Sequence, residues 1–328
     1  MKRIFVISLA LLTLFVLAGP ASAQYKATMK LATITPSDHP TTVGGQKFAD
    51  LIKERTNGRI VIKVYPAMQL GKGAREIFEG VQQGSIELLV TASGPMGGFV
   101  PSINITSLPF LFRDYHHADV VLDGPIGRKL LDDFEKANVK GLSFCETGFR
   151  NLTNSKHPVK NIEDAKGLKI RVMENKIDLE AWKAAGVNPT PMAWGEVFTA
   201  LQQKVIDGQE NPIAVIHSTK LWDAGQKYFS LTAHSYSPAP LIMCKKTFES
   251  MPKEDQNLFL KTALDAAKYQ RKYQRDTEEA KLKEIAAKGV TVTRDVDREA
   301  FRKAMAPVYD KFSSQFPKAD IDAIRNTK

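Results

Sequence analysis

Three β-rich runs near the start of the chain alternate with two helical segments, and this alternation limits the fold more than any other feature of the sequence. Tyr25 to Ile34 reads as a strand, broken by Thr35-Pro36-Ser37-Asp38-His39-Pro40. A helix follows to about Thr56, with Phe48, Leu51 and Ile52 as its apolar stripe and Asn57-Gly58 as its stop. Arg59 to Tyr65 is a second strand and Ala74 to Gln83 a second helix, closed by Gly84. Ile86 to Thr91 is a third strand, which runs into the glycine-rich stretch Ser93 to Gly98. Short connections of this kind imply a parallel sheet with helices on its faces, which binds ligands at the carboxyl ends of its strands. Thr35 to His39 and Ala92 to Gly98 fall at those ends.

The pattern then restarts. His117 to Ala137 reads as one helix, and Val139 to Glu146 as a strand leading into Gly148-Phe149-Arg150. Gly167 to Val172 is a strand that carries Arg171. Helices are expected over Lys176 to Ala185 and Trp194 to Gln203, and a short strand over Val205 to Gln209. Ser237 to Lys245 reads as a strand crossing back. From about Pro252 to Lys288 the pattern stays helical until Gly289, longer than one domain's usual helix and long enough to brace two lobes. The expected fold class is therefore α/β, with two lobes arranged as a hinged clamp and a long helix bracing both lobes. Lobe I is expected over 24–147 plus about 236–275, and lobe II over 148–235 plus about 276–328. A length of 328 residues suits two domains of about 150 residues each.

Residues 1–23 read as a secretory signal peptide. Lys2 and Arg3 precede an apolar run from Ile4 to Leu17, and Ala21-Ser22-Ala23 supplies a small-residue cleavage pattern. That run is shorter than the ~20 residues needed to span a bilayer. Cleavage after Ala23 leaves a mature chain that starts at Gln24, in the periplasm. The leader carries two basic residues and no acid, so its loss lowers the net charge from +10 to +8. A basic surface attracts anions by long-range steering. The export signal and the spread of Lys and Arg along the chain argue against a nucleic-acid partner. Cys145 and Cys244 form neither a metal pattern nor a redox pair. An oxidising compartment allows them to join, and burial as free thiols is the preferred reading.

No GxSxG, HExxH, CxxC, Walker A or GxGxxG motif occurs, so no catalytic residue, metal site or cofactor is assigned. Arg171 is the informative residue, because it interrupts the otherwise apolar end of Leu168-Lys169-Ile170-Arg171-Val172-Met173. A charge there is costly unless partnered. It belongs either to an internal ion pair or to a ligand carboxylate, which a guanidinium grips with two parallel hydrogen bonds.

Several segments resemble the substrate-binding subunits of TRAP (tripartite ATP-independent periplasmic) transporters. They are Gly148 to Asn154, Asp164 to Arg171, Asn188 to Met192 and Asp207 to Pro212, supported by Gln69-Leu70-Gly71 and Leu108 to Phe112. The resemblance covers essentially the whole mature chain. It implies the two-lobed periplasmic binding protein fold, a clamp that closes on a carboxylate-bearing solute and delivers it to integral membrane subunits, with no turnover. It also implies that Arg171 makes the main salt bridge, that Arg150 supports it, and that Asn211 reaches the carboxylate region. Trp194 would pack on the ligand and Glu76 would meet its polar groups. His39, Arg75 and Ser93 complete the candidate set. A monomer is expected.

A stacking face and hydroxyl partners suit a sugar acid such as a hexuronate, with a C4-dicarboxylate as the alternative and aromatic or keto acids left open. A sensor-presenting binding protein is a second reading of the same site. A secreted hydrolase or lyase using Glu76 with Arg171 is a third, although no second acid–base partner for Glu76 can be named.

Overall fold

The computed structural model describes residues 25–328, so the expected signal peptide and its cleavage site lie outside the described residues. Strands β1 (Ala27–Thr33), β2 (Ile60–Tyr65) and β3 (Leu88–Val90) are parallel, with the helices Pro40–Arg55 and Ala74–Gln83 as crossovers. A second parallel set follows: β5 (Lys169–Val172), β6 (Asn188–Pro191) and β7 (Gly208–Asn211). Two long strands join the sets, β4 (Val139–Asn154) and β8 (Tyr228–Cys244), which run antiparallel to each other. The resulting sheet has the order β2-β1-β3-β8-β4-β7-β5-β6, and β9 (Thr291–Thr293) pairs with β8. Both halves of the molecule thus share one continuous sheet, and β4 and β8 are the two strands that pass between them.

These crossing strands run longer than expected. β4 continues past Glu146 to Asn154, and β8 begins at Tyr228 rather than near Ser237. Their registers shift between Glu146 and Gly148 and again between Arg150 and Leu152. At the first shift Gly148 has φ +105, and a Cβ there would lie 2.5 Å from Gln274 Nε2. Only glycine suits both the backbone and that close approach.

The long helix Lys253–Ala287 has the predicted extent and makes this contact. Gln274 donates to the Thr147 carbonyl at 2.7 Å, and Gln270 exchanges hydrogen bonds with the Glu146 backbone at 2.9 Å. Its first half buries Phe259, Ala263 and Ala267 in one core with Phe48 and Ile52. Its last turns bury Leu282 and Ile285 in another, with Val197, Leu201 and Phe229. One helix therefore packs into both halves.

The single helix expected over 117–137 is instead two helices, Tyr115–Asp123 and Pro125–Asp132, followed by a 3₁₀ turn. Pro125 cannot donate a backbone hydrogen bond to continue the first helix and starts the second. Cys145 and Cys244 are buried free thiols.

Candidate functional site

A cleft lies where the carboxyl ends of the two parallel sets face each other. Its internal volume is about 40 Å³. From one side come the loop after β1, the start of the helix Pro40–Arg55 and the loop after β3, which contribute Thr35, Thr41, Thr91 and Pro95. From the other come Arg150, Arg171, Met173, Trp194 and Asn211. Thr35 and Thr42 hydroxyls lie 2.9 Å apart and order the first loop. Thr91 Oγ1 is buried and carries no hydrogen bond among the described residues.

The two cleft arginines are both almost fully buried, yet they are in different electrostatic states. Arg150 on β4 reaches the residue diagonally across on β7, Glu210. Its Nε donates to Oε2, and its Nη2 donates to Oε1 at 2.8 Å and to the Glu210 carbonyl. Only Nη1 is left for anything else. His234 Nε2 lies 3.1 Å from Glu210 Oε2, and its Nδ1 lies 2.9 Å from Thr232 Oγ1. Burial opposes ionisation of Glu210, but Arg150 and His234 outweigh it and hold the carboxyl well below its usual range. Burial pulls His234 below its ordinary value against the attraction of Glu210, so its ring is neutral at neutral pH.

Arg171, on β5, has no carboxylate within salt-bridge distance among the described residues. Its Nε and Nη2 both donate to the Met192 carbonyl, at 2.9 and 2.7 Å. That carbonyl occupies one edge of the guanidinium and leaves the Nη1–Nη2 edge for a two-pronged contact. The guanidinium carbon lies 5.5 Å from the Trp194 ring centroid. Burial lowers its pKa to about 10, with Glu210 opposing and Arg150 reinforcing the shift, so it stays charged at neutral pH. A buried cation without a carboxylate beside a cleft is an anion-binding arrangement.

The chain matches the model of the bacterial extracellular solute-binding protein, family 7, over residues 31–315. It belongs to this family. A 2,3-diketo-L-gulonate-binding periplasmic protein of Escherichia coli is 38% identical over 289 residues, covering 88% of this chain and 87% of that one. A TRAP periplasmic solute-binding protein from a Polaromonas species, solved bound to D-erythronate, is 42% identical with TM-score 0.90. That match covers 92% of this chain and 99% of the other. A third, from Xanthobacter autotrophicus with bound β-D-galacturonate, is 35% identical with TM-score 0.87, covering 92% and 100%. The protein is thus a TRAP periplasmic solute-binding protein, a two-lobed transport component rather than an enzyme.

In this solute-binding protein Arg171, Arg150, Asn211 and Trp194 come together in the cleft. Asn211 donates through Nδ2 to Gln209 Oε1 at 2.5 Å. Trp194, half-buried, opens the helix Trp194–Gln202. The other four candidates stand outside the lining. Glu76 is exposed, and its Oε2 accepts the Lys72 backbone N–H at 3.0 Å, which satisfies an amide at a helix start. Arg75 stacks over the Phe99 ring at 5.0 Å. Ser93 is buried with its hydroxyl 3.3 Å from Thr106 Oγ1. His39 caps the helix Pro40–Arg55 through Nδ1, and burial, with Lys281 pushing the same way, lowers its pKa to about 3. Its neighbour Thr41 takes the cleft position instead.

Sequence reasoning passed over Glu210, although it stands in the quoted Gln209-Glu210-Asn211-Pro212 segment. Its neighbours Gly208, Gln209 and Asn211 are small or polar, so Glu210 does not stand out against an apolar run as Arg171 does, and its burial comes from the fold. Asp178, Thr91 and Met173 were also missed, because nothing local distinguishes them from ordinary core or loop residues.

Proposed function

We propose that this protein captures a small hydroxylated monocarboxylic acid, a sugar acid, between its two lobes and delivers it to the membrane subunits of its transporter. One observation carries the proposal: Arg171 is a cleft cation without a carboxylate partner among the described residues. The ligand carboxylate takes the free edge of Arg171, with Arg150 Nη1 and Asn211 beside it. The threonine hydroxyls of the opposite loops, Thr91 foremost, meet ligand hydroxyls. Trp194 offers a face to the carbon chain. Relatives with bound D-erythronate and β-D-galacturonate support the class, and a hexuronate belongs to it.

A C4-dicarboxylate fits less well, because Arg150 pairs with Glu210 and, among the described residues that line the cleft, Arg171 is then the one unpaired cation for two acid groups, with Glu174 also in the lining. The protein would act as a monomer in the periplasm, its mature chain starting at Gln24. Its lobes would divide near residues 147, 235 and 275, and hinge where β4, β8 and the long helix cross.

The test is a thermal-shift screen of the mature protein against four- to six-carbon aldonates, hexuronates and C4-dicarboxylates. Ligand at 100 Kd adds about 2.7 kcal/mol of stability, which moves the midpoint visibly. Sugar acids are expected to shift it and dicarboxylates to leave it in place. A dicarboxylate shift with none from sugar acids would overturn the reading.

A further inference from the structure

Met173 lies two residues beyond Arg171, on the same face of the strand line by alternation. It is 5% exposed and lines the cleft. Its thioether crosses to the opposite half of the molecule and rests on Gly94, at the start of the turn after β3. A Cβ on Gly94 would stand 2.6 Å from Met173 Cε and 2.8 Å from Sδ, so a side chain at 94 and this methionine rotamer exclude one another. The contact is held in register from both ends. Asn175, two residues further on, donates to the Gly94 carbonyl at 3.1 Å and to Asn104 Oδ1 at 2.7 Å.

The remaining cleft volume of about 40 Å³ is small. Met173 lines that space together with Arg171, so the length of its side chain bears directly on the room beside the anchor.

We propose that Met173, seated on Gly94, is the gauge that sets how long an acid the cleft accepts. This rests on the reading of the cleft as a sugar-acid site and adds the residue that determines chain length within that class. Methionine suits the task, being unbranched and apolar with no hydrogen bond to fix it. Shortening it opens space beside the Arg171 anchor without touching the anchor's charge or its Met192 contact.

The experiment is titration calorimetry with erythronate and galactonate, a four-carbon and a six-carbon aldonate, on the mature protein and four variants. A pocket change of one or two methylene groups alters discrimination about 10–200-fold. Met173→Ala is therefore expected to move the galactonate-to-erythronate affinity ratio at least ~10-fold towards galactonate. Met173→Leu, similar in volume, is expected to stay within about threefold of the parent ratio.

Gly94→Ala pushes the thioether into the cleft and weakens both acids. In the Met173→Ala background the same change is expected to lose most of its effect, the signature of a direct coupling. A folded, ligand-binding Met173→Ala with an unchanged ratio overturns the gauge, as does a Gly94→Ala penalty that persists without the thioether. If Met173→Ala does not fold, Met173→Val is read in the same way. Failure of the parent protein to bind either aldonate would sink the sugar-acid reading itself, whereas binding with a flat ratio in the variants sinks only the gauge.

Discussion

Replacing each cleft arginine by alanine should damage different properties of the protein, and the structure gives the size of each effect. Arg171 has an edge free for a ligand and holds only the Met192 carbonyl, so Arg171→Ala removes the ligand's charge partner and frees one backbone acceptor. Losing one side of a buried charge pair costs about 2–5 kcal/mol in binding. At about 1.4 kcal/mol per tenfold, the dissociation constant rises roughly thirty- to three-thousand-fold. The stability of the empty protein should change little. An unsatisfied carbonyl costs about 1–3 kcal/mol, but removing an uncompensated buried charge offsets it.

Arg150→Ala does the reverse. It leaves Glu210 buried with its carboxylate facing only His234, a loss of about 3–5 kcal/mol of stability for a broken buried pair. Urea unfolding of the ligand-free proteins measures the stability change, and calorimetry with a bound sugar acid measures the affinity change. An Arg171→Ala protein that binds within threefold of the parent would refute the anchor role. An Arg150→Ala protein as stable as the parent would refute the assignment of Arg150 to Glu210.

Other expectations follow from the same site. Trp194 stacks on Arg171 at 5.5 Å, so Trp194→Ala should weaken ligand affinity by about 0.5–2 kcal/mol and Trp194→Phe by less; equal affinities by calorimetry would rule the contact out as an energetic one. Asp178 is buried with Oδ2 unpartnered among the described residues, and burial, reinforced by Glu210 and opposed by Arg150 and Arg171, raises its carboxyl to about 8. The folded protein then holds a proton that an unfolded carboxyl, at about 3.9, has released, so stability falls as pH rises through that interval. From about pH 6.5 to 8 the lowered His39 and His234 are deprotonated in the folded state and largely so in the unfolded one. Asp178→Asn should therefore flatten the loss of stability over that window, and parallel urea-midpoint curves for the two proteins would contradict the assignment.

Local signals made some elements fully legible in the sequence. The helix Ala74–Gln83 matches its expected bounds because Gly84 closes it with φ +81, a left-handed cap that stops a helix cleanly. The crossing strands were underestimated for a tertiary reason. Glu146, Arg150 and Asn151 are charged or amide side chains that do not signal a buried strand, yet all three, with Thr147 between them, are buried within β4. They are tolerated because Arg275 pairs with Glu146, Gln274 takes the Thr147 carbonyl and Glu210 neutralises Arg150. Those partners lie 60 to 129 positions away in the chain, beyond any local pattern.

The same distance explains why two arginines that looked alike in the sequence differ in the fold. Each stood at a strand in the second half and each resembled a family motif. Glu210 separates them, because its strand lies between theirs and its carboxylate reaches Arg150 and His234 but not Arg171. With Asp178 protonated, the fully buried Arg150, Arg171 and Glu210 sum to a single positive charge, while the half-buried Glu174 lines the cleft without coming within salt-bridge distance of either arginine among the described residues. Lobes that close on an empty site bury that charge uncompensated, at a cost of several kcal/mol. Lobes that close over a monocarboxylate bury a neutral, hydrogen-bonded set. A second carboxylate would restore an uncompensated charge of the opposite sign. On the proposed reading, the ion pair that occupies Arg150 would set the charge of the acceptable solute and make the solute itself the condition for closure.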